Sequence, residues 1–570
     1  MTEITKSITY LDEYKSLKKA VDEGKTPVLT VGLSAIHKAN LAAAFGADTA
    51  RPVLVLTDDD NAANRFAADL RGFSEREVVV LPPRELVMAD VAGVSRGYEQ
   101  ARLAALDTLS GACFAVASVQ AAAQRTMPPA LLASSIVTLK AGEEAPLDEL
   151  THRLTDAGYE RCSQVEGMGQ FSVRGGILDI FPPQAEHPYR VEFWDDEIDS
   201  ISTFDVGSQR RLEQCETLRC LPCMEALPSL AKGGAAGLAK AVAALASSRR
   251  KKQHAELQKN LERDAERLRE SGTLPAADKY LPLIYPQMAT AFDYLPENTL
   301  ILIEDTPRLR DAARDFHARI ADDVTALMER GELPGGMDGY ALDFAGICSI
   351  KRQIVRMDSF LNSIPELAPQ HLENFVANQM NAYGGNLDMA SADIRSYTEQ
   401  GRAVAVVCGS TLRCKNMFDA LTDSGLKVQL SDLLPKGGCV NIMEGMISAG
   451  FEYPDLGLVV MTEGQVLARR KKAKVKRSNR DRVKSFTDLS PGDLVVHEHH
   501  GIGRFIGRER MTVDGSERDF IKIAFAGTDF LYVPATSLDL ISKYIGSGDT
   551  ERVRLNRLGG TDWTKAKARA

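Results

Sequence analysis

A strand-like run, Thr26–Gly32 (TPVLTVG), opens into Gly32-Leu-Ser-Ala-Ile-His37-Lys38-Ala39, close to the phosphate-binding pattern G-x-x-x-x-G-K-[ST]. In a working loop of that kind, glycines let backbone N–H groups wrap phosphates, the lysine supplies charge and the hydroxyl holds Mg²⁺. Here Gly32 and Lys38 stand in place. His37 replaces the second glycine, and Ala39 has no oxygen for a metal. The acidic pair expected at a neighbouring strand end reads Glu304-Asp305, the reverse of the usual order. A chance match is the competing reading; at a strand-to-helix turn, these residues read as a degenerate nucleotide site in an NTPase fold that has lost ATP hydrolysis. No catalytic residue follows from them.

A second constellation suits protein contact. In QFSVR, two-residue alternation puts Phe171 and Val173 on one face and Ser172 and Arg174 on the other. In YRVEFW it groups Arg190, Glu192 and Trp194. Arginines beside an exposed tryptophan have the composition of an interface hot spot; the competing reading packs Trp194 in a core and leaves the arginines solvated. Three further clusters were weighed as metal or redox sites. Asp195, Asp196, Glu197 and Asp199 read as a solvated turn. Cys220-Leu-Pro-Cys223 has no second pair, only Cys215 nearby, and zinc needs four ligands. His497, His499 and His500 lie at a strand end and its turn without a carboxylate or cysteine cage. The expected metal content is none.

These residues need a scaffold. From 1 to about 145, strands (Thr26–Gly32, Pro52–Thr57, Val78–Leu81, Cys113–Ser118) alternate with helices (Ala35–Phe45, Asn61–Arg71, Arg96–Leu109), which implies a parallel sheet. Residues 146–228 switch to period two, as in an inserted α+β domain. A helical stretch at 230–272 and the strand Thr299–Ile303 place a second part of the first domain at 229–350. A further α/β domain, of unknown role, spans 351–467, with strands Ala403–Cys408 and Leu456–Met461. A linker at 468–485 carries ten Lys/Arg and one Asp between Arg469 and Lys484. Residues 486–548 read as a small SH3-like β-barrel, with Asp514-Gly515 as its hairpin turn. The fold class is therefore α/β multidomain: a degenerate P-loop NTPase-like parallel sheet, an inserted α+β domain, a further α/β domain and the barrel.

The 570 residues allow about four domains at ~150 residues each. A net charge of −9 argues against a nucleic-acid coat protein. No apolar run approaches the ~20 residues needed to span a bilayer. Nine dilute cysteines point to a reduced, cytoplasmic chain with no membrane association.

Two segments, FSVRGGILDIFP with PYRVEFWDDEIDS at 171–200 and DLVVHEHHGIGRF with LYVPATSLDLISKYIG at 493–546, carry a specific likeness. With them the chain resembles the N-terminal half of the bacterial transcription-repair coupling factors, the Mfd family. The resemblance implies a UvrB-like module at 1–145 and 229–350, and a UvrA-binding domain at 146–228 acting through Arg174, Arg190 and Trp194. It also implies an RNA-polymerase interaction domain similar to CarD at 486–548, docking by strand addition to the polymerase β subunit near Met511, with Arg510 and Thr512. Between Leu81 and Arg96 there is no aromatic residue, so the damage-reading hairpin of UvrB is not expected. The family continues into a double-stranded-DNA translocase driven by ATP and Mg²⁺, whereas this sequence stops where that motor would begin, at 549–570. The implied chain is a non-enzymatic, monomeric adaptor with no cofactor of its own, whose contact with double-stranded DNA runs mainly through the missing motor. The rivals are a CarD-type transcription regulator on a UvrB-like scaffold and an active UvrB-like ATPase.

Overall fold

The computed structural model describes residues 2–88, 96–248, 255–380, 382–383, 386–431, 433, 438–467, 489–497, 500–513, 516–527, 529–534, 540–544 and 555–556, apart from the side chains of 247–248, 511–513, 516–519 and 534. The basic linker 468–485, His499 and nearly all of 549–570 lie outside the described residues.

Strands β1 (Val28–Val31), β2 (Val53–Thr57), β3 (Val78–Leu81) and β4 (Phe114–Ser118) alternate with helices Ala35–Thr49, Asp60–Phe73 and Gly97–Leu109, as the periodicity predicts. Between β4 and the next member of that sheet the chain inserts β5 (Val137–Lys140), β6 (Glu160–Arg161), β7 (Gln170–Arg174), β8 (Ile177–Ile180), β9 (Tyr189–Trp194), β10 (Glu197–Phe204), β11 (Arg211–Cys215) and β12 (Thr217–Cys220). β13 (Leu300–Ile303), β14 (Gln353–Met357) and β15 (His371–Asn374) then complete a seven-stranded parallel sheet, in the order β15-β1-β14-β13-β2-β4-β3. The first sheet thus draws two strands from beyond residue 350. Its central strands are buried on both faces, so their sequences are continuous apolar runs.

The inserted strands form a six-stranded sheet, β11-β10-β9-β8-β7-β6, and a two-stranded ribbon, β12-β5. Phe171, Leu178, Ile180, Val191, Ile198 and Ile201 pack one face of the larger sheet against Leu150 and Leu154 of the helix Leu147–Asp156. The opposite face carries the polar half of the alternation. Bidentate pairing of Arg219 with Asp107 ties the ribbon to the helix Gly97–Leu109.

β16 (Asn378–Gln379), β17 (Ala403–Cys408), β18 (Val428–Leu430), β19 (Val440–Glu444), β20 (Phe451–Tyr453) and β21 (Leu458–Thr462) make a mixed sheet, in the order β16-β20-β21-β17-β19-β18. It is not separate from the first. Val407, Met443, Phe451, Tyr453 and Val460 share one core with Ile36, Phe45, Phe66 and Phe73. The last unit is the sheet β25-β24-β23-β22-β26, formed by β22 (Leu494–His497), β23 (Gly501–Val513), β24 (Ser516–Ala524), β25 (Phe530–Pro534) and β26 (Ile541–Lys543). Val495, Phe505, Ile521, Ile523 and Val533 fill its core. β23 pairs with β22 from Gly501 onward. No helix among the described residues is long and apolar enough to cross a membrane.

Candidate protein-docking site

The polar face of the inserted sheet is built by register. β7 and β8 join through Arg174-Gly175-Gly176-Ile177, where Gly175 takes φ +60°, a left-handed conformation that costs glycine nothing. This tight hairpin sets Asp179 opposite Ser172 on one side and Arg190 on the other. Arg190 Nε and Nη2 donate to the two Asp179 oxygens at 2.7 and 2.8 Å, and Arg174 Nη2 donates to Asp179 Oδ2 at 2.8 Å. The Arg190 guanidinium lies 4.7 Å from the centroid of the buried Phe204 ring. One row further, Glu192 accepts from Ser200 Oγ at 3.1 Å and pairs with Arg211.

Trp194 ends this row and is 81% exposed. It is therefore not a core residue. The exposure ranks the predicted trio: Arg174 is half exposed, while Arg190 is mostly enclosed at 15%. The alternation expected from the sequence holds, and Arg174, Arg190 and Trp194 do share a face. What the sequence reading missed is Asp179, the buried carboxylate between the two arginines. Its signal was a charged residue inside the apolar strand ILDI, directly across from Arg190.

Most of the positions read as a degenerate nucleotide site are packed into the fold. A side chain at Gly32 (φ +85°) would meet the Phe375 carbonyl oxygen at 2.1 Å, so only glycine fits where the chain after β15 passes. His37 is buried, takes a 2.7 Å hydrogen bond with Ser34 Oγ, and packs 5.2 Å from Phe451 and 5.1 Å from Tyr453. Burial lowers its pKa to about 4. Lys38 is also buried. Its ammonium donates to the backbone carbonyl of Glu304; burial lowers its pKa, partly offset by Glu304 and Asp305. Burial raises Glu304 in turn, against the pull of Lys38. Asp305 caps the helix Thr306–Glu329, its carboxylate accepting from the Arg308 amide and from Ser359 Oγ. Ala39 is packed in the helix interior. His37, Lys38 and Ala39 are buried, Glu304 and Asp305 are half-buried, and Gly32 is exposed.

At the C-terminal sheet, β22 pairs with β23 only over Gly501–Arg504, whereas β24 pairs with β23 from Arg504 to Val513. From Ile506 onward the other edge of β23 has no strand beside it among the described residues. Arg510 is exposed on this segment, and Met511 and Thr512 follow in the same strand; the side chains of those two lie outside the described residues.

Among the described residues no group of His, Cys, Asp and Glu could hold a metal. Asp195 sits in the β9–β10 turn at φ +56°. Cys220 and Cys223 are buried thiols beside Tyr159, and burial pushes Cys220 up to about 12 and Cys223 well above its ordinary value. His497 is buried and stacks on His500 at 4.8 Å.

Two of the units described above match known family models. Residues 137–225 match the UvrB interaction domain, and residues 489–545 match the CarD-like/TRCF RID domain. Over its whole length the chain is similar to transcription-repair-coupling factors. It is 31% identical over 582 residues to that of Bacillus subtilis, covering 100% of this chain and 49% of the relative. It is 26% identical over 586 residues to that of Staphylococcus aureus (strain USA300), again 100% and 49%. With that of Staphylococcus epidermidis it shares 27% identity over 567 residues, 96% of this chain and 47% of the relative. The chain spans about half the length of the curated relatives it matches.

Proposed function

We propose that this chain is a two-ended adaptor that couples DNA repair to transcription. The inserted domain, at about 146–228, recruits UvrA through Arg174, Arg190 and Trp194. The C-terminal unit, an SH3-like barrel of the CarD type at 486–548, grips RNA polymerase. Its open β23 edge near Arg510, Met511 and Thr512 accepts a strand of the polymerase β subunit, with backbone hydrogen bonds supplying affinity. The first α/β unit (1–145 and 229–374) descends from a P-loop NTPase, and its nucleotide site no longer works. ATP, Mg²⁺ and movement along double-stranded DNA belong to the remaining half of the longer relatives. On this reading the chain is a cytoplasmic monomer, not an enzyme, with no cofactor of its own.

The observation that carries the reading is Trp194, a large aromatic left 81% exposed beside Arg174 on one rigid sheet face. Exposed tryptophan paired with arginine is what interface hot spots are made of. Co-purification tests it, with UvrA and the polymerase β subunit offered separately. Trp194→Ala is expected to lose UvrA by about tenfold or more in affinity while retaining the β subunit. Equal retention of UvrA by wild type and Trp194→Ala would remove the docking assignment.

A further inference from the structure

Asp179 is 1% exposed, yet it stands on the polar face of the sheet and not in the apolar core. Its two oxygens take three guanidinium N–H groups, two from Arg190 and one from Arg174. Arg190 is consumed by this arrangement. Nε and Nη2 face Asp179, the guanidinium lies over the Phe204 ring, and Nη1 donates to the Gln209 carbonyl at 3.4 Å. Arg174 is different: one nitrogen is held, and half of its side chain remains open to a partner.

We propose that Asp179 is the positioning residue of this docking face and that Arg190 is its clamp, so that a partner touches Arg174 and Trp194. The proposal deepens the UvrA-binding reading and rests on it. Its physical content is preorganisation. A free arginine loses much rotamer entropy when it is fixed in an interface, and the Asp179 bond removes part of that cost beforehand. The partner surface that fits is a carboxylate beside an apolar pocket. The carboxylate meets the open edge of the Arg174 guanidinium, and the pocket receives the Trp194 ring.

Positioning and simple electrostatics differ in sign. The trio Arg174, Arg190 and Asp179 carries 2 − 1 = +1, and Asp179→Asn makes it +2. If Asp179 only diluted positive charge, its removal would strengthen attraction to an acidic partner and raise the association rate. If it positions Arg174, removal speeds dissociation.

The test measures association and dissociation of the full chain on immobilised UvrA for wild type, Arg174→Ala, Asp179→Asn, the double variant and Trp194→Ala. Asp179→Asn is expected to raise the dissociation rate about tenfold, with association unchanged or faster. Arg174→Ala is expected to cost far less in the Asp179→Asn background than in wild type. Asp179→Glu retains the charge but displaces it by one methylene, and is expected to weaken binding too; thermal melts identify any variant that has lost its fold. Binding of Asp179→Asn as tight as wild type, or equal cost of Arg174→Ala in both backgrounds, overturns the positioning role while the Trp194→Ala loss keeps the docking reading. Absence of wild-type binding overturns both.

Discussion

Replacing His37 by Phe should remove one acid-sensitive component of stability. In the fold, burial beside Phe451 and Tyr453 lowers the imidazole pKa from 6.5 to about 4. The folded value lies below the unfolded one, so between them only the unfolded chain takes up the proton. Stability from this group is therefore whole above about pH 6.5, falls as pH falls, and is gone below about pH 4. The full window is worth about 3 kcal/mol, and the part between pH 7 and pH 5 about 2 kcal/mol. Phe keeps an aromatic ring in the pocket and cannot titrate. Urea unfolding followed by circular dichroism at pH 7 and pH 5, for wild type and His37→Phe, isolates the effect as a difference of differences. Other groups titrate alike in both proteins and cancel. Wild type should lose about 2 kcal/mol more than the variant over this interval. Equal losses would mean that the His37 ring is not enclosed as described.

Asp278→Ala should destabilise the chain by about 2–3 kcal/mol, because it removes the 2.6 Å charge-assisted bond to buried Arg84, which keeps Glu225 at 3.0 Å, and leaves the Val87 amide without its acceptor. Asp12→Ala, at an exposed pair with Lys15, should leave the urea midpoint unchanged; a similar shift for both would contradict the buried network. Proline placed singly at 510 and at 511 should act differently, because successive amides of β23 point to opposite edges. One substitution should open the hairpin, while the other leaves the sheet folded and abolishes β-subunit binding. Retention of binding by the folded variant would rule out strand addition.

The first sheet was largely legible because its strands are buried on both faces, which writes them as uninterrupted apolar runs such as VLVLT and LILI. β14 and β15 were not assigned to it. Nothing local distinguishes a strand that returns to a distant sheet from one that founds a new sheet. The face bearing Arg174, Arg190 and Trp194 was readable from alternation, since side chains on a strand must point to opposite sides. Asp179 was overlooked because a lone carboxylate gains meaning only from what lies across the ladder.

Near-range chemistry, then, was present in the sequence itself: a run close to a phosphate loop with His37 where that pattern has glycine, a tryptophan on the polar side of a strand, a long strand followed by Asp-Gly. The tertiary structure decided which of these groups are free. It buried Lys38 against the Glu304 carbonyl, brought Phe451 and Tyr453 onto His37 from over four hundred residues away, and closed Arg190 onto Asp179 while leaving Trp194 in solvent. Exposure and pairing depend on contacts between segments far apart in the chain. Local periodicity carries no record of them.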